Sequence, residues 1–164
     1  MRLFNATFRM ANRRCAVYGQ VEDPSETFVS VGNWDPNGDL LCFKVRRIGA
    51  AIVDRPRIPG VSVRDEARIY DAAEEWLARR LLSARRDEAG LEAKGLARLA
   101  DVECWRLRRY EETRTQELAD DEMKRIWEAL DLFEELCRSA KERAGRWEGR
   151  WERTTGCGTS VTRA

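Results

Sequence analysis

The sequence contains no histidine. The side chain that most often serves as a general base near neutral pH, and most often binds zinc, is therefore missing. The five cysteines, Cys15, Cys42, Cys104, Cys137 and Cys157, are odd in number and include no close pair. Neither a C-x-x-C redox motif nor a thiolate zinc site is expected. No run approaches the roughly 18 apolar residues of a membrane-spanning helix. The opening Met1-Arg2-Leu3-Phe4-Asn5 lacks the apolar stretch of a signal peptide, so a reducing cytoplasm is the expected compartment. Charge of one sign is not in excess: 30 basic residues face 29 acidic ones, for a net +1. No global field draws this chain to nucleic acid or to an anionic membrane, and only a local patch could do so. Lysine is scarce, at Lys44, Lys94, Lys124 and Lys141, and the remaining basic residues are arginines, which suit planar bidentate contacts and stacking on rings. There is no phosphate-cradling glycine loop, no G-x-S-x-G and no Cys–His pair. The chain reads as non-catalytic, with no cofactor and no metal.

What is present is a change of period along 164 residues. Residues 1–60 alternate as strands do. Phe4, Ala6, Phe8 and Met10 interleave with Asn5, Thr7 and Arg9; Cys15, Val17, Gly19 and Val21 form the next such set around a turn at Ala11-Asn12-Arg13. Phe28–Trp34 and Leu40–Ile48 read as third and fourth strands, joined by a turn-rich segment in which Asn37-Gly38 suits a tight hairpin. Connections this short imply an antiparallel meander. Pro56, Pro59 and Gly60 then stop regular structure, and Ser62 with Asp65 three residues on predicts a helix start.

Residues 61–153 read as three helices packed on the sheet and extending as a helical hairpin. The first is an amphipathic stretch from Val63 to Ala84. The second runs from Leu91 to about Leu118 with a broad apolar distribution. The third carries the stripe Met123, Ile126, Leu130, Phe133, Cys137, Ala140, Ala144, Trp147 and Trp151. Such a seam over about four heptads predicts a rod roughly 45 Å long that presses on a partner surface. Ala119-Asp120-Asp121 has the character of its start. Residues 154–164 read as a disordered tail. The expected architecture is α+β: an antiparallel meander of about four strands followed by three α-helices, the last two long and paired.

Three segments stand out as candidate sites. Gly145-Arg146-Trp147-Glu148 is repeated at once as Gly149-Arg150-Trp151-Glu152. The duplication puts Trp147 and Trp151 on one helix face beside Arg146 and Arg150, a grouping that resembles a protein-binding hot spot and also suits base stacking; closing the end of the chain's own seam would occupy the same rings. The second is Trp34 at the hairpin tip. There Gly32-Asn33-Trp34-Asp35-Pro36 resembles a short motif of starch-binding modules, but the helix-rich remainder does not fit that all-β family. Asp35, Asn37 and Asp39 are similar to the start of a calcium loop, but Leu40 stands where its glycine belongs and Arg46 where its closing glutamate belongs. The third is the basic set Lys44, Arg46, Arg47, Arg55 and Arg57, with Arg9, Arg13 and Arg14 on the same sheet. Residues 1–60 carry nine basic and six acidic side chains, so an outward-facing sheet of arginines and aromatics could bind nucleic acid. Many carboxylates have an arginine at helical spacing, Glu75 and Arg79 among them, and are expected to form surface ion pairs.

The function expected is a non-catalytic protein-binding module acting through the helical pair and the Trp–Arg end, with a homodimer suited to the long seam. By class-level analogy alone, its narrower form is a small inhibitor of a host nucleoprotein machine such as phages and mobile elements encode, anti-CRISPR proteins being one example. The alternative is a nucleic-acid-binding module that uses the Arg-rich sheet face or the Arg/Trp segment.

Overall fold

The computed structural model describes residues 1–32 and 38–155, with side chains through residue 146. Strands β1 (Leu3–Met10), β2 (Arg13–Gln20), β3 (Thr27–Gly32) and β4 (Leu40–Val45) form one antiparallel sheet in chain order. The alternation sets its faces. Phe4, Ala6, Phe8, Cys15, Val17, Val29 and Val31 are all buried on one side, with Phe8 opposite Cys15 and Cys15 opposite Val31. Ala11 and Asn12 join β1 to β2 with φ of 52° and 56°, the mirror-image turn whose twist matches that of the strands it joins.

The fourth strand stops at Val45 rather than Ile48. The Arg46 N–H donates to Asp54 Oδ1 at 2.5 Å and the Arg47 N–H to the Pro24 carbonyl at 3.2 Å, so these donors leave the ladder. Arg47–Ile48 (β5) and Ala51–Ile52 (β6) instead make a small antiparallel ribbon around Gly49, which has φ 58°.

Helix α1 (Val63–Glu88) begins as expected, with the Asp65 N–H donating to Ser62 Oγ at 3.1 Å. Its Ile69, Tyr70, Ala73, Trp76 and Leu77 lie on the buried face of the sheet, and the Tyr70 hydroxyl donates to the Pro56 carbonyl at 2.7 Å. The helix ends in a Schellman turn: Gly90 has φ 68°, its N–H donates to Asp87 O at 3.0 Å, and the Leu91 N–H donates to Arg86 O at 3.1 Å.

Among the described residues four helices follow the sheet, not three. The stretch expected as one helix over 91–118 is divided into α2 (Ala93–Leu99), α3 (Cys104–Glu112) and a connection. The break is a second Schellman turn in which Asp101, at φ 53°, takes the position glycine usually fills, and the Val102 N–H donates to Ala97 O at 2.9 Å. Helix α4 (Asp120–Thr155) is long, as expected, but α3 before it has only nine residues, so the two do not form a long pair. Ile126 and Leu130 instead enter a second core with Leu82 of α1, Leu96 of α2, and Leu107 and Tyr110 of α3.

Arginines of α1 fasten this second core. Arg86 pairs with the buried Glu111 at 2.8 Å, and Arg85 holds Asp131 and Glu134 of α4, each at 2.7 Å, with its guanidinium over the Trp127 ring. The expected pair of Glu75 with Arg79 gives way to another. Arg79 is buried and donates to the carbonyls of Tyr110 and Gln116, while Glu75 accepts from Arg114 at 2.7 Å. Among the described residues, no helix is long and apolar enough to cross a membrane.

Candidate functional site

The basic set read from the sequence is dispersed by the fold. Lys44 faces outward from β4 and pairs with Glu26 at 2.5 Å. Arg46 lies 3.7 Å from Asp54. Arg55 reaches Asp71 and Glu74 of α1, each at 3.0 Å, and Arg57 pairs with Glu66. Arg47 is buried and donates to Thr27 Oγ1, Gly49 O, Gln20 O and Val21 O at 2.9–3.0 Å. Its guanidinium lies over the Phe4 ring, and burial lowers its pKa. Arg47 thus works inside the fold, while Arg55 and Arg57 stay exposed and lie against carboxylates of α1. Trp34 lies outside the described residues.

Two surfaces remain. The first belongs to α4. Its start is fixed by Glu122, which accepts from the Ala119 N–H at 2.9 Å and from Arg106; this is half of a capping box. Met123, Trp127 and Ala129 pack beside the second core. Phe133 and Cys137 of the stripe are half-buried, and beside them Leu132 and Leu136 are 58% and 56% exposed. From Ala140 to Arg146 every residue is exposed, Ala144 of the stripe and the candidate Arg146 included. The helix continues to Thr155, carrying Trp147, Arg150 and Trp151 in its backbone; their side chains lie outside the described residues. At about 1.5 Å per residue, the part after Ser139 is about 24 Å long. Charge is segregated along the rod. Residues 120–136 hold seven acidic and two basic side chains; residues 137–155 hold six basic and three acidic.

The second surface is the face of the sheet turned away from α1. Asn5, Tyr18, Phe28 and Lys44 stand in one cross-strand row, with Thr7, Ala16, Ser30 and Cys42 in the next. The Tyr18 and Phe28 rings, on the two central strands, are stacked with centroids 5.3 Å apart and planes 16° from parallel. The Tyr18 hydroxyl and the Cys42 thiol share a hydrogen bond at 3.0 Å across β3, and this bond raises the Tyr18 pKa. A groove of about 1060 Å³ runs over this face. Sequence reasoning places the outward arginines here but misses the aromatic pair. Its signal is present, since Tyr18 and Phe28 each sit between two inward residues, but their adjacency depends on strand register.

Among the described residues, no group of three or more Cys, Asp and Glu is placed to hold a metal ion. The depressed carboxylates Glu22, Asp23 and Glu66 are each held down first by backbone or Ser25 donors of the chain itself. Comparison with family models, with curated proteins and with solved structures returns no match.

Proposed function

We propose that the chain is a non-catalytic protein-binding module that acts through α4, and that the partner this helix fits is a second copy of itself. One observation carries the reading: an apolar stripe that starts in the second core continues past the point where the body stops covering it, with Ala140 and Ala144 exposed on it and Leu132 and Leu136 exposed beside it. The segregated charge supplies the orientation. Two such helices laid antiparallel set the acidic half of each against the basic half of the other, a two-fold arrangement in which the same contacts occur twice. Trp147 and Trp151 then extend the seam, with Arg146 and Arg150 at its rim. An inhibitor of a host nucleoprotein machine is the narrower form of this reading and would use the same segment.

Light scattering on the purified chain tests it. The expected mass is twice 19.0 kDa, falling toward the monomer as salt rises and the complementary charges are screened. Leu132→Glu with Leu136→Glu is expected to give a folded monomer, as is Trp147→Ala with Trp151→Ala. A wild-type monomer at every concentration would remove the self-association. Unfolding of the tryptophan variant would place those rings in the core.

A further inference from the structure

We infer that the outer face of the sheet is a binding site for single-stranded nucleic acid, with Tyr18 and Phe28 as its stacking platform. The inference rests on this face alone and does not depend on the role given to α4.

Antiparallel sheets commonly bury one face and leave the other to water, and a solvated face then carries polar residues. This face departs from that pattern at its centre. The two central strands present an aromatic pair where, among the described residues, no helix covers it, and Leu3 and Leu40 at its margins are 68% and 60% exposed. The flanking positions are polar or cationic. Arg9 stands opposite Arg14 at one end, Thr7 and Asn5 follow toward the aromatic row, and Lys44, paired with Glu26 at 2.5 Å, lies 6.0 Å from the Phe28 ring centroid. Glu26 is the carboxylate that lines the groove.

A ligand suited to this surface offers flat rings to the centre, hydrogen-bonding edges to the amides and hydroxyls, and negative charge to the Arg9–Arg14 end. Unpaired nucleotides offer all three: every base has a face that stacks on an aromatic ring, and the phosphates meet the cations. A duplex cannot use the platform, because its bases are already stacked on one another. Tyr18 is also held in place before any ligand arrives, its hydroxyl tied to Cys42, so little ordering is needed on binding.

Fluorescence anisotropy with labelled 12-nucleotide oligouridylate and oligothymidylate, at 50 and 200 mM salt, tests the site on the full chain. Binding to one or both is expected, weakening with salt, with a duplex of equal length competing poorly. Preference for the RNA would assign a contact to the 2′-hydroxyl; equal affinity would assign recognition to base and phosphate alone. Phe28→Ala is expected to weaken binding about tenfold or more, and Phe28→Tyr to keep it within about twofold. Arg9→Ala with Arg14→Ala should lower both the affinity and the slope of its logarithm against that of salt. Ultraviolet cross-linking of the wild-type chain, which needs no variant to fold, should mark peptides of β2 and β3. The inference is overturned if neither oligonucleotide binds at 50 mM salt, or if Phe28→Ala binds unchanged. Cross-links confined to residues after Ala140 would overturn it as well, by moving the contact to α4.

Discussion

A cation taken out of water without a carboxylate beside it is costly unless most of its donors are used. Arg47 meets that condition by gathering four neutral oxygens from three separate segments: the end of β2 and its following residue, Thr27 of β3, and the turn at Gly49. Arg47→Met is predicted to destabilise the fold by about 2–4 kcal/mol, because three carbonyls and a hydroxyl lose their donor in a buried place. Arg47→Lys should recover only part of this, since an ammonium group cannot reproduce the planar fork; urea denaturation of both variants measures it. The sequence alone suggests a surface contact for Arg47, because charge is visible in a sequence, whereas the convergence of backbone carbonyls from distant segments is not. Glu66 presents the opposite sign. Its carboxylate accepts from the Ile58 N–H at 2.8 Å and from Arg57, and these donors, Ile58 first, hold its pKa below the ordinary value. A depressed folded value means that the stabilisation is complete above the unfolded value of about 4.3 and is lost as pH falls through the lower folded one. Glu66→Gln should therefore be less stable than wild type at pH 7. The gap should close on acidification below about pH 4, as read from thermal melts across pH. Cysteine reactivity divides by face. Burial raises the Cys15 thiol to about 11, so alkylation at pH 8 should modify the exposed Cys42 well before Cys15, as peptide mapping would show.

Helix boundaries are legible wherever their chemistry is the common one. Ser62 and Asp65 announce α1, and Gly90 marks its end with the residue that a left-handed cap favours. The acidic run at Asp120 announces α4. The division of α2 from α3 is not legible, because its left-handed position is filled by Asp101, a residue equally at home inside a polar helix face. Period alone does not reveal it: Leu96, Leu107 and Tyr110 read as part of one helix with a broad apolar distribution, and only the turn before Val102 shows that they belong to two rods. Asp101→Gly is predicted to stabilise the protein by up to about 1 kcal/mol, as glycine enters this conformation without the steric cost that a Cβ brings. Asp101→Val should destabilise it by more than that, since a β-branched side chain is an outlier at positive φ. Differential scanning calorimetry distinguishes the two, with a shift of about 2–4 °C per kcal/mol expected for a chain of this size.

Among the described residues, the two cores together take their last fully buried members from the first turns of α4. Ile126 and Leu130 are the last fully buried side chains among the described residues, and Arg85 takes its last partner at Glu134. The sheet with α1, and the helical cluster with the first turns of α4, therefore hold all of the described burial that resists unfolding. Residues 140–146 add length and charge to the rod without enlarging either core. A chain cut after Ser139 is accordingly predicted to keep its intrinsic stability within about 0.5 kcal/mol, the range of substitutions far from any core. The intact chain should differ in one respect. If α4 pairs with a second copy, the folded dimer is favoured by mass action, so its melting temperature rises with protein concentration while that of the cut chain does not. Melts over a hundredfold range of concentration separate three outcomes. A concentration-dependent midpoint that vanishes on truncation supports the pairing. Flat midpoints for both chains, equal to each other, leave the end of α4 without a role in self-association. A truncated chain less stable at every concentration would mean that the distal helix folds back on its own body, and that the seam from Met123 to Trp151 is satisfied within one molecule.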